Sequence, residues 1–232
     1  MQSWDVKMIQ NDLQQIEYKI EQAKQGSKLS ADHVTLIAVT KQLSVDQTKV
    51  VVEAGLKHLG ENRLEGLLPK QAEIGSSVTW HFIGSLQTRK VKDIINTIDY
   101  LHSLDRMSLA DEIQKRAQQP VRCFIQVNVS GESSKHGLAD TELSNFMQQI
   151  ESYDKILPIG LMTMAPADAS EEDIRKQFKR LRELRDEMNQ KGLLKQPMTE
   201  LSMGMSGDYV IAVEEGATFV RIGTALVGSI KE

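Results

Sequence analysis

The sequence is poor in several things, and each shortage removes a class of protein. It carries one cysteine, Cys123, so no disulfide can form within the chain. The chain reads as a protein of a reducing compartment, the cytoplasm. Cys123 sits in the apolar run Cys123-Phe124-Ile125-Gln126-Val127. No polar neighbour in sequence would lower its pKa, so it reads as a small core residue and not a nucleophile. No stretch approaches the ~18 apolar residues of a membrane span. The N-terminus lacks the charged start and continuous apolar core of a signal peptide. Basic blocks, acidic tails and low-complexity tracts are missing too. With 28 Lys+Arg against 32 Asp+Glu, the net charge of −4 leaves no footprint for nucleic acid. His33, His58, His102 and His136 show no metal-ligand spacing and read as surface or packed side chains, so no metal is expected.

What is present is a repeating pattern. The 232 residues are 40% hydrophobic, enough for one good core. No linker interrupts them, so one domain over residues 1–232 is expected. Residues from about 3 to 25 predict an amphipathic helix with Ile9, Leu13, Ile16, Ile20 and Ala23 on one stripe, stopped at Gly26-Ser27. Short β-rich runs then alternate with helical stretches. The strands are expected near 34–40, 58–62, 78–84, 99–104, 121–129, 157–162, 200–203 and 217–223. The helices between them fall near 45–54, 63–73, 88–96, 106–117, 140–151, 170–190 and 207–215. Ser44 is the expected N-cap of the first of these helices, and Pro120 breaks the one before the fifth strand. Eight strands alternating with helices predict an α/β fold, a single (β/α)₈ barrel of the TIM type. An open doubly wound sheet is the alternative. Only Thr224 to Glu232 follow the last strand, too few for a closing helix, so the N-terminal helix is expected to pack on the outside of the barrel.

In such a barrel the C-terminal ends of the strands converge on one rim, where ligands bind. The first strand, Leu36-Ile37-Ala38-Val39-Thr40, ends on Lys41. That lysine is either a capping charge reaching solvent or an amine held in a cleft. The second strand ends at Glu61-Asn62, the third carries His81 before Gly84-Ser85, the fifth gives Asn128 and Ser130, and the sixth closes on Met162-Thr163-Met164. The seventh and eighth ends are Ser206-Gly207 and Gly223-Thr224. They are two small, donor-rich turns ahead of helical segments, and the loops after strands seven and eight commonly hold phosphate in this fold. A lysine facing a phosphate site suits a phosphorylated aldehyde whose carbon forms a Schiff base with the amine, helped by partial burial of the lysine. Pyridoxal 5′-phosphate meets these demands. Its pyridine nitrogen needs a partner, commonly Asp or Arg. Arg221 lies two residues before Gly223, so alternation can put both on one side. An ion pair with a core carboxylate is the other reading of Arg221. The methionines at 162, 164, 203 and 205 read as barrel filling, with the rim members within reach of a ligand.

These residues carry a resemblance. The segments Ala38-Val39-Thr40-Lys41, Gly60-Glu61-Asn62, Trp80-His81-Phe82-Ile83-Gly84, Gly160-Leu161-Met162-Thr163-Met164, Leu201-Ser202-Met203-Gly204-Met205-Ser206 and Val220-Arg221-Ile222-Gly223-Thr224 stand in one order over about residues 35 to 228. In them the chain resembles the small pyridoxal-phosphate homeostasis proteins, which have a fold-type III barrel. The resemblance implies an internal aldimine on Lys41, with Asn62 near the phenolic oxygen. It implies phosphate contacts from Ser206, Gly207, Gly223 and Thr224, and Arg221 facing the pyridine nitrogen. His81 and Met162 would line the surroundings of the ring. An arginine is always protonated and disfavours a protonated pyridine nitrogen, which makes the ring a weak electron sink.

The function this implies is binding, buffering and delivery of pyridoxal phosphate without turnover. The expected partners are pyridoxal phosphate and, transiently, PLP-dependent apoenzymes, and the protein is expected to act as a monomer. A racemase-like enzyme on the same barrel is the alternative. None of Tyr18, Tyr100, Tyr153 or Tyr209 sits at a clear rim position to serve one. A phosphosugar enzyme using Lys41 as an amine base is a third reading, and it forms no Schiff base.

Overall fold

The computed structural model describes residues 3–132 and 136–230. Eight strands close a parallel barrel in sequence order, with the first pairing the eighth. They are β1 Thr35–Val39, β2 His58–Glu61, β3 Thr79–Phe82, β4 Tyr100–Leu104, β5 Val121–Gln126, β6 Ile156–Met162, β7 Glu200–Met205 and β8 Phe219–Ile222. Closure is read in the register, which sets Ile37 against Arg221 on one side of β1 and Val39 against Gly60 on the other. The open-sheet alternative is thereby excluded.

The helices cover the outside. They are α1 Ser3–Gly26, α2 Val45–Glu53, α3 Leu64–Ile74, α4 Val91–Ile94, α5 Met107–Arg116, α6 Asp140–Ile150, α7 Glu171–Gln190, α8 Tyr209–Glu214 and α9 Thr224–Val227. α1 buries Ile9, Ile16, Ile20 and Ala23, with Leu13 partly covered. It packs against α8, α9 and α2 and so fills the gap left by the short last segment. Each buried isoleucine contributes about 1.5–3 kcal/mol. Ser44 caps α2 through a capping box: its Oγ accepts from Gln47 N at 3.2 Å, while Gln47 Oε1 accepts from Ser44 N at 2.9 Å. The helix expected over 88–96 is reduced to a 3₁₀ turn, Thr88–Lys90, and the single turn of α4. None of the helices is long and apolar enough to cross a membrane, among the described residues.

Two cores result. The larger lies between strands and helices and takes the outward strand residues, such as Ala38, Leu59 and Trp80. The smaller fills the barrel interior with Ile37, Phe124, Met162 and Phe219, flanked by Tyr100 and Ile159. The interior also holds polar side chains, and they lead to the site.

Candidate functional site at the barrel rim

The rim is built from strand ends fastened to one another. Thr40, just past β1, is fully buried, and its hydroxyl donates to Glu61 Oε1 at 2.6 Å. Lys70 of α3 donates to the same carboxylate oxygen at 2.6 Å and to the Thr40 carbonyl at 2.7 Å. This clamp fixes the exits of β1 and β2, and the next residues, Lys41 and Asn62, point into a cavity of about 490 Å³. That volume suits a small ligand. Lys41 is exposed at the cavity and not partly buried as the sequence reading expected. It stands in the turn beyond β1, where the clamp holds the backbone and leaves the side chain exposed.

Across the mouth stand the turns after β7 and β8. Ser206 Oγ accepts from the backbone N–H of Gly223 and of Ala225, each at 3.2 Å, so the two turns are tied together. Gly207, ahead of α8, and Thr224, the first residue of α9, are exposed on the cavity wall. Gly204 bends the end of β7 with φ of +95°, a conformation that favours glycine. Gly84 allows a close approach of a different kind: a Cβ there would come within 2.3 Å of the Asn62 carbonyl oxygen.

Arg221 enters the cavity from below. It is 3% exposed. Its Nη1 donates to Ser202 Oγ at 2.5 Å and its Nη2 to the Thr163 carbonyl at 2.9 Å. The bonds of this guanidinium thus go to a hydroxyl and a carbonyl, not to the core carboxylate of the other sequence reading. Burial lowers its pKa to about 10, opposed by the Asp208 carboxylate, so it remains a cation at neutral pH.

The cavity therefore gathers Lys41, Asn62, Ser206, Gly207, Arg221, Gly223 and Thr224. It does not gather His81 or Met162, and the expectation for these two is corrected. Both are fully buried in the barrel interior. Side chains on one face of a strand recur every two residues, and the residues two further on, Ile83 and Met164, are the ones that line the cavity. The sequence reading thus stopped one interior layer too low on β3 and β6.

Gln126 and His136 line the cavity and were missed. Gln126 ends β5 and carries the one polar side chain in an apolar run, two residues beyond the inward-facing Phe124. That spacing was the available signal. His136 lies in the loop after β5, and no sequence signal placed it at the rim. His102 is packed, as read, and His58 is half-buried; both join His81 in one polar chain through the barrel. His58 Nδ1 lies 2.9 Å from His81 Nε2, His81 Nδ1 lies 2.9 Å from His102 Nε2, and His102 Nδ1 lies 2.8 Å from Ser202 Oγ.

A closed parallel barrel with a lysine and paired small-residue turns at its rim defines a class. The family model for the alanine racemase N-terminal domain matches residues 11–231. Within that class, the chain belongs to the pyridoxal phosphate homeostasis protein family. The family member of Aquifex aeolicus is 40% identical over 225 residues, covering 94% of this chain and 95% of its relative. PipY of Synechococcus elongatus, solved with PLP bound, aligns with a TM-score of 0.82 at 30% identity over 95% of this chain and all (100%) of its own. The alanine racemase of Corynebacterium glutamicum shares the fold at 16% identity and a TM-score of 0.69, and the match spans 60% of that enzyme.

Proposed function

We propose that this protein binds pyridoxal 5′-phosphate at the barrel rim, held covalently on Lys41 as a Schiff base, and buffers or delivers it in pyridoxal phosphate homeostasis without turnover of its own. One observation carries the reading: a single cavity brings together Lys41, the joined turns at Ser206 and Gly223-Thr224, and the cation of Arg221. The family name and the PLP-bound relative support it.

When bound, the cofactor supplies an aldehyde and an electron-withdrawing ring. The residues of this chain do the holding. Lys41 provides the amine, and Asn62 stands beside it. Ser206, Gly207, Gly223 and Thr224 receive the phosphate. Arg221, which has no proton acceptor site, keeps the pyridine nitrogen unprotonated and the ring a weak carbanion sink. His81 and Met162 support the floor from below and touch no ligand. On this reading the protein acts in the cytoplasm as a monomer that meets PLP-dependent apoenzymes transiently, which light scattering with and without an apoenzyme measures.

The test is an absorbance spectrum of the purified protein, followed by borohydride reduction and peptide mapping. A Schiff-base band with the label on Lys41 is expected, and Lys41→Ala removes both. No band, or a label on another lysine, overturns the reading.

A racemase-like enzyme is favoured by one observation, that His136 lines the same cavity as Lys41. Against it, no tyrosine lines the cavity: Tyr100 is inside the barrel, Tyr209 is buried, Tyr153 bonds Asp111, and Tyr18 lies on α1. Exchange of the α-hydrogen of L-alanine in D₂O, lost in His136→Gln, would establish the enzyme and overturn the absence of turnover.

A further inference from the structure

Arg221 is a buried cation whose hydrogen bonds reach no carboxylate, and such a charge is costly unless other dipoles are turned towards it. The direction of every bond in the chain below it can be worked out. A guanidinium only donates, so Ser202 Oγ accepts from Arg221. Ser202 is fully buried, and an undonated hydroxyl proton there would be left unsatisfied. Among the described residues, His102 Nδ1, at 2.8 Å, is the acceptor within reach. His102 therefore has a bare Nδ1 and carries its proton on Nε2, which donates to His81 Nδ1. The same rule passes to His81, whose Nε2–H donates to His58 Nδ1. All four bonds run one way, from the cavity to His58. Every lone pair on the path faces back towards the guanidinium.

The packing holds this order. Tyr100 stacks on His81 with ring centroids 4.5 Å apart and planes at 9°, and Phe124 stacks on His102 at 4.4 Å and 24°. His81, His102 and Ser202 are fully buried, and burial holds both histidines well below the ordinary pKa of 6.5. His58 is only half-buried. It lines a groove at the opposite, N-terminal mouth of the barrel, beneath α1.

We propose that Ser202, His102 and His81 are positioning residues for Arg221: a one-way hydrogen-bonded chain that crosses the barrel, turns its lone pairs to the buried cation, and couples the cofactor site to the protonation of His58 on the far face. The chain conducts no net proton, because Arg221 has no lone pair to receive one. It transmits order instead. A proton added to His58 Nδ1 would oppose His81 Nε2–H. The two then face each other donor to donor at 2.9 Å, so the last bond of the chain is lost and His81 loses the acceptor that fixes its tautomer. The charged groups facing the two ends are few. Asp99 faces His58 and favours its protonation, and Glu17, Glu21 and Lys24 of α1 and Lys57 line the same groove. Arg122 lies over the ring of Tyr100 at 5.4 Å, and Asp208 faces Arg221.

The coupling to the cofactor rests on the function proposed above; the tautomer order does not. The first test is therefore nitrogen-15 NMR of histidine-labelled, full-length, cofactor-free protein from about pH 7.5 to about pH 5. The expected result is a bare Nδ1 and a protonated Nε2 on His58, His81 and His102 at neutral pH, with His81 and His102 neutral throughout. In Arg221→Met, His102 is expected to populate both tautomers. A proton on Nδ1 of His81 or His102 in the unmodified protein, or titration of either near pH 6.5, overturns the proposal. The second test compares holoproteins. Ser202→Ala is expected to shift the Schiff-base absorbance and weaken cofactor binding about tenfold, and Ser202→Thr to restore both. A folded Ser202→Ala with unchanged spectrum and affinity overturns the coupling. If Ser202→Ala does not fold, the NMR result on the unmodified protein decides. If the unmodified protein shows no cofactor band, the preceding reading fails while the tautomer order stands or falls by itself.

Discussion

Two buried cations lie within one barrel, and they are stabilised in opposite ways. Lys70, 2% exposed, sits outside the strands on α3 and is bonded to the Glu61 carboxylate at 2.6 Å. Arg221, 3% exposed, sits inside the strands and, among the described residues, bonds only a hydroxyl and a carbonyl. The first charge is neutralised where it stands, and its work is to clamp strand ends. The second is left with a net field, and that field points into the cavity. Pairing is what a structural charge requires, whereas a binding charge is useful because it is not fully paired.

That contrast can be broken by removing each partner, and the largest effect belongs to Lys70. Lys70→Met strands the Glu61 carboxylate in the interior, where Glu61 Oε2 already lacks a hydrogen-bond partner. The expected loss is about 3–5 kcal/mol in equilibrium unfolding by urea, with Glu61→Gln/Lys70→Met recovering part of it. A loss under about 1 kcal/mol would show the pair is not the clamp described.

Acid tests the other half of the barrel. His81 and His102 are held neutral by burial, with folded pKa values well below 6.5, so the unfolded chain binds more protons below that pH. Stability is therefore unaffected by them above about pH 6.5, falls as pH drops below it, and levels off beneath the folded values. The slope is up to ~1.4 kcal/mol per pH unit for each histidine. Urea midpoints at two pH values, in the parent and in His102→Phe, check this; equal slopes would remove His102 from the account.

A smaller loss is expected for Thr40→Val, which deletes the 2.6 Å bond to Glu61. About 1.5–3 kcal/mol is the usual worth of a bond to a charged group, and thermal unfolding measures it. The smallest effect on stability is expected for Arg221→Met. It removes a buried cation without stranding an anion bonded to it, so the change should stay near ~1 kcal/mol while the bound-cofactor spectrum moves. A spectrum identical to that of the parent would mean that the field of Arg221 does not reach the ligand.

Much of this molecule was legible in one dimension. Strand positions followed from apolar runs, and α1 from the spacing of Ile9, Ile16, Ile20 and Ala23. Local patterns decide which elements form because burial rewards periodicity directly. Most rim residues followed as well, since a parallel barrel sends every strand end to one face. Depth along a strand was less legible. His81 and Met162 face inward as alternation implies, but the rim lies one layer above them, and the strand's exit from the barrel is set by its neighbours' register. Gln126 was readable by the same two-residue step and was passed over.

The sequence by itself determined the eight-strand alternation, the outer helix, and a lysine facing two glycine-containing turns. These depend on residue order and on one repeating connection. Only the tertiary structure decided which charges are paired. The histidine chain joins β2, β3 and β4 to Ser202 of β7, 100 residues from His102. No local period encodes a contact at that separation. Closing the barrel is what brought those side chains together, and with them the reason Arg221 can remain an unpaired cation beside the cavity.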